Sequence, residues 1–92
     1  METQRFMFQD LKNILVDRVG IAENLVRDDP TLTFEEMGLD SLAIVELQLA
    51  IQQKYSIPIA DNETAHIKTI GGTIDFTNRR IAETESSSAR AH

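Results

Sequence analysis

Ser41 is the residue of this sequence best suited to form a covalent bond, because it follows Asp40 at the start of an apolar segment. Asp40 is expected to cap a helix, which puts Ser41 in the first turn. Backbone N–H groups and the positive end of the helix dipole stabilise a phosphate there. The position therefore suits a phosphate ester, although an Asp-Ser pair before an apolar run is also a common helix start.

As a catalytic nucleophile, Ser41 lacks the usual supporting residues. It does not lie in a Gly-x-Ser-x-Gly turn, and neither His66 nor His92 has an evident claim to act as its base. The sequence has no cysteine, which excludes disulfides and thiol chemistry performed by the polypeptide itself. A small hydrolase is therefore the least favoured function, and no metal site is predicted.

The segment after Ser41 carries apolar side chains on two opposite sides of one helix, at about 100° per residue. One stripe consists of Leu42, Val45 and Leu49. The opposite stripe consists of Ile44, Leu47 and Ile51. A helix surrounded by its own bundle would show this pattern, and so would a helix with one stripe in the core and the other exposed to a partner. The pattern alone does not decide which stripe is which.

The net charge of −6 is concentrated around Ser41, since residues 20–53 hold seven acidic residues and one basic residue. Such a surface repels nucleic acid and attracts a basic protein surface, or it serves only to keep the chain in solution. The N-terminus does not resemble a secretory signal, and the apolar runs are too short to cross a bilayer. We therefore expect a cytoplasmic protein that binds neither nucleic acid nor membrane.

The periodicity predicts an all-α domain of residues 1–82, followed by a disordered tail over residues 83–92, where no apolar pattern is present. A first helix is expected between Gln4 and Val19, with Thr3 as its cap and Gly20 at its end. The other expected elements are a long loop over 20–39, a helix over 41–55, a short helix over 62–67 and a last helix from 69 or 70 to 80.

The stretch from Met37 to Leu42, MGLDSL, resembles the hallmark of the acyl carrier proteins. Val45-Glu46-Leu47 follows as it does in that family, and the likeness extends over roughly residues 6–81. The resemblance implies a small four-helix bundle with a short third helix and a long loop between helices 1 and 2. It also implies that Ser41 is the attachment point of 4′-phosphopantetheine, whose thiol would carry an acyl chain as a thioester.

The resemblance further assigns roles to the two stripes. Asp40 would lie beside the attached group, and the partner-binding surface would consist of Leu42, Val45, Glu46 and Leu49. The interior, where acyl chains are sometimes sheltered, would consist of Ile44, Leu47, Ile51 and Ile67. The expected partners are a holo-acyl-carrier-protein synthase or other phosphopantetheinyl transferase, and the ketosynthase, acyltransferase and other enzymes of the pathway.

Some residues depart from the carriers of fatty acid synthesis. Ala43 stands where an acid is frequent, and Leu39 is more typical of polyketide-type carriers, so a dedicated pathway such as polyketide synthesis is favoured. The initiating Met suggests a stand-alone protein, and a monomer is expected. The alternative function is an unmodified helical adaptor that binds its partner through the stripe of Leu42, Val45 and Leu49 and has no need of Ser41.

Overall fold

A computed structural model describes the backbone of residues 5–90 and the side chains of residues 5–60 and 62–84. Within that part of the chain the fold is helical and contains no β-strand. The α-helices are α1 (Phe8–Ile14), α2 (Ser41–Tyr55) and α3 (Ile70–Arg90). A π-helical segment, Leu15–Val19, continues α1, and two 3₁₀ segments cover Glu23–Leu25 and Asp61–His66. The all-α prediction is therefore confirmed, and the predicted short helix over 62–67 is a 3₁₀ segment.

The first helix begins later than the sequence predicts. Residues 5–7 are not helical, and α1 starts at Phe8 with Met7 as its cap. The Met7 N–H donates to the Asp10 carboxylate at 2.9 Å, which satisfies a backbone donor that the helix start leaves free. A start at Gln4 is therefore wrong, and the expected cap Thr3 lies outside the described residues. Gly20 ends the element in the left-handed region, with φ 90°, as predicted.

The long loop between α1 and α2, residues 20–40, is fixed to the start of α3 by backbone hydrogen bonds. The Phe34 N–H donates to the Lys68 carbonyl at 2.9 Å, and the Ile70 N–H donates to the Leu32 carbonyl at 3.0 Å. An isolated β-bridge joins Thr33 to Thr69 in the same place. Leu32 and Phe34 are buried, so the loop forms part of the core although it has little helix of its own.

Gly71 allows the loop to approach α3 closely. A Cβ at this position would lie 2.7 Å from the Pro30 Cβ, well inside van der Waals contact. The Gly71 N–H donates to the Pro30 carbonyl at 3.0 Å. Glycine costs about 1 kcal/mol relative to alanine in a helix, but here the missing side chain is what permits the contact between loop and helix.

The core is formed mainly by aliphatic side chains from every part of the described chain. Its fully buried members include Leu11 and Leu15 of the first helix, Leu47 and Ile51 of α2, and Ile67 before α3. Phe6 and Tyr55 add an edge-to-face aromatic pair, with ring centroids 5.3 Å apart. Burying such side chains contributes roughly 1.5–3 kcal/mol each before the entropy of ordering is subtracted.

The 3₁₀ segment Asp61–His66 is held by polar and aromatic contacts on two sides. The Gln48 amide of α2 donates to the Thr64 hydroxyl at 3.3 Å. Arg80 of α3 forms an ion pair with Glu63. The His66 ring stacks on the Phe76 ring with centroids 5.7 Å apart. These contacts join the segment to both longer helices.

The last helix is longer than predicted, since α3 extends to Arg90 rather than ending at Arg80. No glycine or proline follows Gly72, so nothing in the sequence interrupts the backbone hydrogen bonds of the helix. The disorder predicted for residues 83–92 stays a prediction, and residues 91 and 92 lie outside the described residues. No helix in the described part of the chain is long and apolar enough to cross a membrane.

Candidate attachment site and docking face

The turn before α2 places Ser41 at the surface. Gly38 adopts φ 89°, in the left-handed region where a side chain is disfavoured. Leu39 is buried and its N–H donates to the Phe34 carbonyl at 3.0 Å, which attaches the turn to the core. Asp40 is the N-cap of α2, and its carboxylate accepts a hydrogen bond from the Ala43 N–H at 2.8 Å. The predicted role of Asp40 as N-cap is confirmed.

Ser41 is exposed and is the first residue of α2. An α-helix leaves the N–H groups of its first turn without intrahelical acceptors. The Asp40 carboxylate uses the N–H of Ala43, and those of Ser41 and Leu42 remain near the serine hydroxyl. A phosphate ester on Ser41 would thus lie at the positive end of the helix dipole, within reach of backbone donors and open to a modifying enzyme.

The stripe of Leu42, Val45 and Leu49 lies at the surface of α2. These side chains are 67%, 47% and 49% exposed, and Glu46 beside them is exposed as well. Isolated exposed apolar residues are ordinary in proteins, but these three share one face of the same helix. The structure therefore decides between the two stripes, while the docking role of the exposed one stays a prediction.

The opposite stripe faces inward, with one difference from the prediction. Leu47, Ile51 and Ile67 are completely buried. Ile44 is only partly buried, because it lies at the edge of the core where α2 meets the loop. Of the four residues assigned to the interior, Ile44 alone is thus accessible from outside.

Ile44 lines an open pocket of about 270 Å³ together with Thr33, Phe34, Glu35 and Lys68. Ile44 lies one helical turn after Ser41, so the pocket opens close to the serine. Its volume is slightly below the roughly 300–1,000 Å³ of pockets that take drug-sized ligands. It therefore suits a slender chain, with apolar walls from Ile44 and Phe34 and charged groups from Glu35 and Lys68.

Two carboxylates stiffen the loop that precedes the site. Glu36 accepts hydrogen bonds from the N–H and the hydroxyl of Thr33, both at 3.0 Å, and these bonds lower the pKa of Glu36. Asp29 accepts from the hydroxyl and the N–H of Thr31, at 2.8 and 3.0 Å, which likewise lowers the pKa of Asp29. Both acids therefore stay charged to lower pH.

Sequence reasoning missed the residues that contribute to the site from outside α2. Lys68 and Thr33 come together only because the loop pairs with the start of α3, a contact that periodicity does not encode. Gln48, for which the sequence predicted no role, is buried, and its amide donates to the Thr64 hydroxyl. The available signal for its burial was the helical spacing, since Gln48 lies four residues after Ile44 and three before Ile51.

Comparison with known proteins shows which family this chain belongs to. Residues 9–77 match the family model described as a phosphopantetheine attachment site. The chain is 34% identical over 70 residues to an acyl carrier protein of Sulfurovum sp. (strain NBC37-1), a match that covers 76% of this chain and 92% of the relative. It is 35% identical over 75 residues to an acyl carrier protein of Amoebophilus asiaticus (strain 5a2), covering 82% and 92%.

Solved structures agree with the sequence relatives. The fold matches the 3,5-dioxohexyl ACP of the actinorhodin polyketide synthase from Streptomyces coelicolor with a TM-score of 0.75 and 28% identity, over 89% of this chain and 98% of that one. The 3-oxo-butyl form of an ACP from the same synthase gives a TM-score of 0.74 and 27% identity, with the same coverage. This chain is therefore a member of the acyl carrier protein family, whose cofactor is covalently attached 4′-phosphopantetheine.

Proposed function

We propose that Ser41 is the attachment point of the 4′-phosphopantetheine and that the protein is a carrier of acyl intermediates rather than a catalyst. The observation that carries the proposal is the position of an exposed serine hydroxyl at the first residue of α2, after an Asp40 cap. When bound, the group supplies the thiol that this cysteine-free chain lacks, and acyl chains are carried on that thiol as thioesters.

The residues around Ser41 would orient the attached group. The N–H groups of the first turn favour the phosphate, and Asp40 holds that turn in helical geometry through its bond to Ala43. The pocket at Ile44 and Phe34 offers an apolar wall next to the serine, against which the arm or the first carbons of a cargo would lie. Leu47, Ile51 and Ile67 would form the core beneath and would contact a cargo only if the bundle opened.

The exposed stripe of α2 would present the loaded protein to its partners. The stripe itself is apolar, at Leu42, Val45 and Leu49. The exposed carboxylates of Asp40 and Glu46 flank it. Such a surface fits enzymes that combine apolar contacts with basic residues near their active-site entrance. The proposed partners are a phosphopantetheinyl transferase, such as a holo-acyl-carrier-protein synthase, followed by the ketosynthase, acyltransferase and other enzymes of one pathway.

We further propose polyketide synthesis, rather than fatty acid synthesis, as the pathway that this carrier serves. The solved ACP structures that match this fold belong to a polyketide synthase and carry oxo-substituted acyl mimics. Leu39 and Ala43 also fit a dedicated carrier. We further propose that the carrier unit is residues 1–82, that the 3₁₀ segment Asp61–His66 is the third element of a four-helix arrangement, and that the protein is a cytoplasmic monomer.

Intact-mass spectrometry tests the attachment. The full chain is incubated with coenzyme A, magnesium and a promiscuous phosphopantetheinyl transferase, and one phosphopantetheine is expected on the peptide that contains Ser41. Ser41→Ala should remain folded by circular dichroism and gain no mass. Ser56→Ala is the matched control, because Ser56 is another exposed serine at the opposite end of α2. Loading of Ser41→Ala would contradict the proposal.

The same variants separate the carrier from the adaptor. An adaptor would bind through Leu42, Val45 and Leu49 without using the serine, so Ser41→Ala would retain full activity. Failure of the wild-type protein to gain mass, when it is folded and not already modified, would favour the adaptor. A gain of mass that is lost in Ser41→Ala would exclude it.

A further inference from the structure

The core-facing side of α3 carries two hydroxyl groups that differ in their hydrogen bonds. Thr73 and Thr77 are completely buried, between Ile70 and Ile81, which are buried as well. The Thr73 hydroxyl donates to the Thr69 carbonyl one turn earlier, at 2.8 Å, which is a common bond for a threonine inside a helix. The Thr77 hydroxyl is shielded from solvent too, yet it has no hydrogen-bond partner among the described atoms.

The residues beside Thr77 show in which direction its side chain lies. The Phe76 ring stacks on the His66 ring of the 3₁₀ segment, on one side of α3. On the other side, the Asn78 amide exchanges two hydrogen bonds with the backbone of Phe6, before α1. Successive residues of a helix are about 100° apart, so Thr77 lies between these two contacts and faces the centre of the bundle.

The helices α2 and α3 begin at the same end of the bundle, which is the end where Ser41 lies. The buried residue Phe34 is hydrogen-bonded through its backbone to Leu39, just before α2, and to Lys68, just before α3. Thr77 is the eighth residue of α3 and therefore lies about 10 Å along the helix from its start. Its hydroxyl is thus inside the bundle, at the depth of the middle of α2.

The 3₁₀ segment Asp61–His66 shows that the two helices stay side by side at that depth. One of its residues bonds to Gln48 of α2 and another to Arg80 of α3. An acyl chain that entered at the pocket beside Ile44 and continued along α2 would therefore approach Thr77 from the Ser41 end of the bundle. Protein interiors are close-packed, so this entry requires the bundle to open.

The unpaired hydroxyl of Thr77 destabilises the unloaded protein. A buried polar group without a partner loses its hydrogen bonds to water and gains none in return. A valine would have nearly the same shape without that loss. Such a group is explained if it pairs with an atom that the unloaded chain does not contain.

We propose that Thr77 is a specificity-determining residue for the cargo, and that its hydroxyl donates a hydrogen bond to a ketone oxygen of an acyl chain sheltered in the bundle. The inference rests on the proposed carrier function and specifies the class of cargo. A saturated chain would surround the hydroxyl with hydrocarbon and leave it unpaired. An oxo-substituted chain supplies the missing acceptor, and the hydroxyl in turn satisfies a ketone that would otherwise be buried without a donor.

A double-mutant cycle between cargo and protein tests this inference. The full-length protein is loaded by a promiscuous phosphopantetheinyl transferase from coenzyme A analogues whose acyl group is joined by an amide, so that the cargo stays attached during unfolding. One sample carries an octanoyl group. The others carry an octanoyl group with a single ketone, at the third, fifth or seventh carbon. The equilibrium constant for unfolding is measured in urea for each loaded form.

For at least one ketone position, the wild type should be less readily unfolded than its octanoyl form, by about fivefold in the equilibrium constant. Thr77→Val should remove this preference for the ketone, whereas Thr77→Ser keeps the hydroxyl and should keep the preference. Thr73→Val is the matched control, because the Thr73 hydroxyl is already bonded to Thr69, and it should retain the preference of the wild type. A preference that survives in Thr77→Val, or that is absent from the wild type at every ketone position, would overturn the proposal.

Nuclear magnetic resonance places the cargo independently of stability. With the favoured ketone, the protons beside the carbonyl should show nuclear Overhauser effects to the Thr77 methyl group. Their absence, together with a bound water at the Thr77 hydroxyl in both loaded and unloaded protein, would assign that hydroxyl to water and overturn the proposal.

The two proposals fail in different ways. Gain of phosphopantetheine on Ser41 does not depend on which acyl group the interior prefers. A protein that loads at Ser41 but does not distinguish ketone from hydrocarbon would keep the carrier function and lose the role of Thr77. A protein that does not load at all would lose both.

Discussion

Gly38 controls the turn that presents Ser41. Its φ of 89° is disfavoured for any residue with a side chain, although a Cβ there would meet nothing within 4 Å. Gly38→Ala should therefore cost about 1–2 kcal/mol through backbone conformation alone. We expect a lower melting temperature together with slower loading, because the chain on either side, Leu39 and Asp40, would shift.

Gly20→Ala is the matched control for this prediction. Gly20 has φ 90° and open space at its Cβ, but it ends the first helix, away from the attachment turn. It should lose similar stability and keep the loading rate measured below its melting temperature. Equal loading rates in the two variants would mean that the left-handed turn at Gly38 serves stability only.

Thr77 and Thr73 are a pair of fully buried threonines on α3 that differ in hydrogen bonding. The Thr73 hydroxyl donates to the Thr69 carbonyl at 2.8 Å, whereas the Thr77 hydroxyl has no partner among the described atoms. A buried hydroxyl without a partner costs about 1–3 kcal/mol. Thr77→Val should therefore raise the free energy of unfolding by about 1 kcal/mol, measured by urea denaturation.

Thr73→Val supplies the comparison. It removes a hydrogen bond worth about 0.5–1.5 kcal/mol and should leave stability unchanged or lower it. A loss of stability in Thr77→Val of the same size as in Thr73→Val would show that the Thr77 hydroxyl is satisfied in solution.

At the scale of elements, the loop of residues 20–40 has a stability that depends on pH. Thr33 and Thr31 lower the pKa of Glu36 and Asp29 below the ordinary values of 4.5 and 3.8. The pKa of each carboxyl is lower in the folded state than in the unfolded state. The stability that the two carboxylates contribute to the fold is therefore present above the unfolded pKa and is lost as pH falls through the folded pKa. The melting temperature should thus fall from about pH 4.5 downward.

Glu36→Gln should flatten that acid-side fall, as measured by thermal denaturation between pH 7 and pH 2. The glutamine still accepts a hydrogen bond from Thr33 but no longer titrates. Glu35→Gln, the neighbouring exposed carboxylate, is the control and should keep the wild-type slope. An unchanged slope in Glu36→Gln would assign the acid sensitivity to other groups.

The elements differ in how well the sequence predicted them. Both ends of α2 were predictable because local chemistry sets them: Asp40 caps its start, and the residue before Pro58 cannot continue the helix. The start of the first helix was not predictable. The Met7 N–H donates to the Asp10 carboxylate, and Phe6 exchanges two hydrogen bonds of 2.7 and 2.8 Å with the side-chain amide of Asn78, which is 72 residues away. Tertiary contacts overrode the apolar period there.

At the scale of the whole molecule, one part of the candidate site was predictable from the sequence and another part was not. The position of Ser41 and the two stripes of α2 followed from helix geometry, but which stripe faces the core depended on where the other helices pack. The partial exposure of Ile44 and the pocket with Lys68 required the pairing of the loop with α3. The hydrogen bond from Arg18 to Gln53 likewise required the first helix and α2 to pack together.

The proposed boundary of the carrier unit at residue 82 gives a prediction for the complete fold. Ile81 is the last buried residue among those whose side chains are described. A chain that ends at residue 84 should therefore keep its melting temperature within a few degrees and load phosphopantetheine at the full rate. A chain that ends at residue 75 is the control, since it lacks Phe76 and Ile81 of the core and should unfold.

The hydrogen bonds between the loop and the start of α3 have a consequence for the order of folding. Leu32 and Phe34 obtain their backbone partners from Ile70 and Lys68, which are synthesised much later. Closing such a distant contact is entropically costly and slow compared with forming α2 itself. We therefore expect the turn around Ser41 to become ordered only when α3 docks, so that a nascent chain is a poor substrate for modification. Completion of the polypeptide would in this way precede its activation.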